Sequence, residues 1–64
     1  MAPKIVSFQR IYMGGRYINM AFGEGEKMLV GYVAHPKNGP SWMRQPCTKA
    51  EKAKLTADVA EMFD

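Results

Sequence analysis

Cysteine and histidine are nearly missing from this chain: Cys47 and His35 are the only residues of their kinds among 64. A single cysteine excludes an intramolecular disulfide, the staple on which small secreted domains depend. One Cys and one His also fall short of a closed four-ligand zinc site, so neither a metal nor a cofactor is expected. Long hydrophobic runs are missing too. No stretch approaches the roughly 20 apolar residues that span a bilayer, so no membrane association is expected. Met1-Ala2-Pro3-Lys4 opens without a long apolar segment or a cleavage pattern, and cytoplasmic residence is the resulting expectation. No internal repeat is visible, which sets solenoids and arrays aside.

What is present is the composition of a folded chain: 47% hydrophobic residues and 23% charged ones. The length corresponds to one domain, 1–64, and a domain of this size buries only about 60% of the surface its unfolded chain exposes. Its core is therefore small, and a partner or a second copy would add to its stability. The net charge of +3 is unevenly placed. Lys4, Arg10, Arg16, Lys27, Lys37 and Arg44 outweigh Glu24 and Glu26 in the first two-thirds. In the last third Lys49, Lys52 and Lys54 are outnumbered by Glu51, Asp58, Glu61 and Asp64. A polyanionic partner is compatible with this, although dedicated nucleic-acid binders often carry a denser basic stripe.

Residues 4–13 are rich in Ile, Val, Phe and Tyr and hold no Gly or Pro, which predicts a strand. Gly14-Gly15 supplies two residues free to take positive φ, the requirement of a type I′ hairpin turn. Residues 16–22 form the returning strand. Gly23-Glu24-Gly25-Glu26 is a second turn and 27–33 a third strand, giving an antiparallel meander. Residues 34–47 contain Pro36, Pro40 and Pro46 and read as a long loop, a kind of segment that is often functional. Thr48-Lys49-Ala50-Glu51 is a capping box. It opens a helix over 49–62 with Leu55, Val59, Met62 and Phe63 on one stripe. The predicted fold is α+β, a three-stranded antiparallel meander with one C-terminal helix packed on one sheet face (βββα).

The turns fix the register and the register fixes the faces. A two-residue loop at Gly14-Gly15 sets Ile11 opposite Ile18 and Tyr12 opposite Tyr17. A two- or four-residue second loop sets Met20 opposite Leu29 and Tyr17 opposite Tyr32; a three-residue loop would turn over every side chain of the third strand. Under the first register one face collects Ile5, Ile11, Ile18, Met20, Phe22, Leu29 and Val33, and this is the expected core face under the helix. The other collects Phe8, Arg10, Tyr12, Tyr17, Asn19, Met28, Val30 and Tyr32, with the three tyrosines in a row.

That row is the most informative candidate site. Left open beside Arg10 and Asn19, it is a stacking platform for bases or a protein-interaction face, since Tyr and Arg are enriched at hot spots. Cross-strand aromatic pairs also stabilise sheets without binding anything. A homodimer through the same face satisfies the same pattern. Arg16 lies beside the row. Trp42, flanked by Lys37 and Arg44, is either an exposed anchor or the plug at the end of a small core. The six methionines suit irregular cores and adaptable surfaces alike.

Catalytic patterns are thin. Cys47 and His35 could form an activated pair, but a lone Cys is commonly a small buried hydrophobe. Gly23-Glu24-Gly25-Glu26 lacks the following helix that a phosphate cradle needs, and its glutamates would repel an anion. Asp58 and Glu61 are solvated helix charges rather than a paired acid and base. The expectation is a non-catalytic protein that docks on a larger protein partner as a regulator or inhibitor. It would use Phe8, Arg10, Tyr12, Arg16, Tyr17, Asn19, Tyr32, Lys37, Trp42 and Arg44. The alternative is a nucleic-acid binder stacking single strands on the same tyrosines.

Overall fold

The computed structural model describes residues 3–35 and 44–63. Strands β1 (Ile5–Met13), β2 (Arg16–Gly23) and β3 (Met28–Ala34) are followed by a two-residue strand β4 (Gln45–Pro46) and a helix α1 (Lys49–Phe63). The class is α+β, with an antiparallel sheet and one C-terminal helix. Among the described residues the sheet has four strands in the order β3-β2-β1-β4, not three. The extra strand falls inside the expected loop, where it sets Gln45 opposite Arg10 and Pro46 opposite Gln9 on the outer edge of β1.

Gly14 and Gly15 take φ of 62° and 80°, the left-handed values of a two-residue hairpin turn. The first hairpin therefore has the expected register, with Tyr12 opposite Tyr17 and Ile11 opposite Ile18. A bulge near Val6 then sets Ile5 opposite Gly23. This turns Ile5 to the face opposite the one expected for it.

The second hairpin differs. Glu24–Glu26 form a 3-10 turn, and the Gly23 N–H donates to the Lys27 carbonyl at 2.8 Å. The wider connection slides β3 by two residues, so Tyr32 faces Asn19 and Tyr17 faces Ala34. A slide of two keeps each side chain on its face, but it breaks the row of three tyrosines. An irregularity at the start of β3 sets Met28 opposite Phe22 and packs Leu29 against the core. Those two residues thus exchange the faces expected of them.

The largest correction concerns the helix. It lies across β2 and β3, on the face of Phe8, Ala21, Val30 and Tyr32. That is the face expected to be open. The reason is size along the central strand. Towards α1, β2 presents Asn19, Ala21 and Gly23, a channel of small residues walled by Ile5 and Phe8 on one side and Leu29, Val30 and Tyr32 on the other. A Cβ on Gly23 would come within 3.1 Å of the Leu29 side chain, so the channel closes as tightly as glycine permits. On its other face β2 presents Ile18, Met20 and Phe22, a ridge that would hold a helix off the sheet. Leu55 and Val59 drop into the channel and, among the described residues, are the only large apolar side chains fully buried. Met62 and Phe63 remain exposed, so only half of the expected stripe is used.

The capping box forms as the sequence predicts. The Thr48 N–H donates to Glu51 Oε1 at 2.7 Å and the Glu51 N–H donates to the Thr48 hydroxyl at 3.3 Å.

Candidate docking face

With α1 seated over Phe8, Ala21, Val30 and Tyr32, most of the residues expected to form the core lie on the opposite face of the sheet. Cross-strand pairing puts Ile11 opposite Ile18, Ile18 opposite Val33, Gln9 opposite Met20, and Phe22 opposite Met28. Among the described residues no helix or strand packs across this face. Met28 and Val33 are 57% and 55% exposed, and Ile11, Ile18, Met20 and Phe22 are half-buried. Met20 leans over Gly31: a Cβ there would meet Met20 Cγ at 3.2 Å and Met28 Sδ at 3.8 Å. Two thioethers therefore fill the middle of the face, where flexible side chains can reshape to a partner. Charge is kept to the rim. Arg16 is exposed at the hairpin end, and Glu26 and Arg44 flank a shallow dip over Ser7, Gln9 and Phe22 at the other. An apolar centre with a polar rim is the anatomy of a protein interface.

The tyrosine face is organised as a clamp on the helix. Arg10 donates from Nη2 to Gln45 Oε1 at 2.9 Å, places Nη1 3.5 Å from Glu51 Oε1, and sets its guanidinium 5.0 Å from the centre of the Tyr17 ring. Lys54 holds its ammonium 4.6 Å from the Tyr32 ring centre and Lys52 6.0 Å from that of Phe8. Asn19 is fully buried, and neither its amide oxygen nor its nitrogen finds a hydrogen-bond partner among the described residues. Burial pushes the Tyr32 hydroxyl above its ordinary pKa, and Glu51, Cys47 and Asp58 add to the shift. Asn19 pulls slightly the other way without reaching hydrogen-bond geometry.

The expected contact residues thus scatter. Phe8, Arg10, Asn19 and Tyr32 are engaged under or beside α1. Tyr12 and Tyr17 meet edge to face at 5.2 Å, half-buried near the hairpin turn and outside the core cluster. Arg16 and Arg44 are exposed and lie towards the open face. Lys37 and Trp42 lie outside the described residues. The open-face apolar residues were legible as a set from the first hairpin, but hydrophobicity alone assigned them to the core. The small residues of β2 were the signal for the true assignment.

Among the described residues Cys47 and His35, the two candidates for a nucleophilic pair, do not come together. Cys47 is buried under α1, where burial and then Glu51 push its thiol up, towards the inert protonated form. His35 is exposed beyond β3, at the opposite edge of the sheet from β4, which Cys47 follows. A cleft of about 390 Å³ at the far end of the sheet has Met28, Leu29 and Phe63 for walls and Lys4, Glu24 and Lys27 on its rim. It holds no histidine or cysteine. Among the described residues no three His, Cys, Asp or Glu side chains cluster as metal ligands, and no helix is long and apolar enough to cross a membrane. No protein-family model, curated protein or solved structure matches this chain.

Proposed function

We propose that this chain is a non-catalytic binding protein of the cytoplasm, which docks on a larger protein and regulates or inhibits it. The contact face is the open side of the sheet, centred on Ile11, Ile18, Met20, Phe22, Met28 and Val33. The observation that carries this reading is an apolar face that no described element covers, on a domain whose core holds two large fully buried aliphatic side chains among the described residues. Leaving so much apolar surface in water costs roughly 25 cal/mol per Å², which a partner's apolar surface would recover. Single-stranded nucleic acid is a poorer fit to this face. Among the described residues Phe22 is its one aromatic side chain and the cations lie apart at the rim, so these residues offer no run of rings on which successive bases could stack.

The test is affinity capture from the native host's lysate with and without nuclease. A defined protein retained in both arms supports the reading. Material that disappears with nuclease overturns it in favour of nucleic acid.

A further inference from the structure

The two edges of the sheet are finished differently. The outer edge of β1 is closed by β4, a two-residue strand that ends in Pro46. The outer edge of β3 has no strand against it among the described residues. Within Met28–Ala34 there is no proline and no charged residue, and its one irregularity lies at the start, beside Leu29, so Val30–Ala34 carries neither charge nor proline nor bulge to keep an exposed edge from pairing. Its sequence, apolar throughout around Gly31, can face a second copy of itself in antiparallel order without burying a charge.

We infer that β3 pairs with β3 of a second copy about a two-fold axis perpendicular to the sheet. This interaction is independent of the open-face docking proposed above. In such a pair opposed residues share a face, as Val30 does with Tyr32 of the second copy, and the two sheets join into one. Both helices then lie on one side and both open faces on the other.

Helix placement and charge both fit. α1 straddles β2 and β3. With strands about 4.8 Å apart, the two helix axes would come to roughly 10 Å, the ordinary distance for packed helices. The flank of α1 on the β3 side carries Lys54, Asp58 and Glu61, with Ala50 and Ala57 leaving room for close approach. Neither Lys54 nor Asp58 makes an ion pair with another described residue, and Lys ahead of Asp is the weaker order for a pair within one helix. Antiparallel helices set Lys54 of one copy against Asp58 of the other, twice by symmetry.

Sedimentation velocity on the full chain tests this with two single variants, Lys54→Glu and Asp58→Lys. The wild type sediments as a dimer in a concentration-dependent manner. Each variant alone dimerises about tenfold more weakly, because two attractions become two repulsions. Mixed one to one, the variants restore wild-type association as a heterodimer, an outcome that contacts within one helix do not produce. Should Asp58→Lys lower the helix content, Asp58→Asn takes its place: alone it dimerises more weakly than the wild type, and mixed with Lys54→Glu it associates more tightly than either variant does by itself. In the wild type, amide exchange along Met28–Ala34 slows as concentration rises. A wild type that stays monomeric at millimolar concentration overturns the inference, as does a dimer indifferent to the charge swaps.

Discussion

Arg10 on β1 and Glu51 in the first turn of α1 meet at 3.5 Å, through the same carboxylate oxygen that accepts the Thr48 N–H at 2.7 Å. One side chain therefore both starts the helix and ties it to the sheet. The two partners are 24% and 18% exposed, so the cost of desolvating them offsets much of their attraction and the ion pair contributes modestly beside the cap. Glu51→Ala is expected to lower stability by about 1–2 kcal/mol. Glu51→Gln, which can still close the capping box, is expected to cost about half of that. Urea unfolding followed by circular dichroism reads both.

Leu55 is the keystone of the core. It is fully buried above Ala21 with Val59 one turn away. Leu55→Ala is expected to cost about 2–5 kcal/mol, against a total of roughly 3–10 kcal/mol for a domain of this length. A large unfolded fraction at 25 °C is the predicted result, and unchanged thermal unfolding would mean that the helix is held by something other than this channel.

Alkali should weaken the fold. Tyr32 and Cys47 both have pKa values raised above their ordinary ones, first by burial. A raised acid keeps its proton in the folded chain after the unfolded chain has lost it. Its stabilising share is therefore complete below the unfolded pKa and is lost as pH rises through the folded one. The melting temperature should be insensitive to these two groups at neutral pH, fall above about pH 9 and fall more steeply above about pH 10. Cys47→Ala should remove the first part of the decline.

Asn19 offers a test of the orphaned amide. Its two polar atoms are buried without hydrogen-bond partners among the described residues. Asn19→Leu, close in volume, exchanges that cost for apolar contact with the helix and is expected to stabilise by about 1 kcal/mol. A loss of stability would show that the amide is satisfied by solvent.

The first hairpin, the capping box and the helix are written in local signals: Gly14-Gly15, Thr48 with Glu51, and a run of good helix formers. The side of the sheet that meets the helix is not local. Both faces carry large apolar residues, and hydrophobicity favours Ile18, Met20 and Phe22 for the core. Shape decides otherwise, because Asn19, Ala21 and Gly23 make the channel a helix can enter. Ile5 and Leu29 change faces through strand irregularities, which alternation alone does not reveal. The register of β3 depends on a 3-10 turn at Glu24–Glu26, and β4, two residues long and ending in proline, leaves no strand pattern to read. The tyrosines remain a cluster of interest for a different reason: Tyr32 helps seat α1, while Tyr12 and Tyr17 stand near the hairpin turn.

The most direct test of the open-face account is capture of the protein partner by two pairs of substitutions. Ile18→Asp with Val33→Asp charges one cross-strand pair on the open face, and Tyr12→Ser with Tyr17→Ser removes the ring pair on the opposite face. The account predicts that the first pair abolishes retention while circular dichroism stays unchanged, and that the second leaves retention intact. Retention that survives the aspartates and fails with the serines would contradict it and return the contact to the tyrosines.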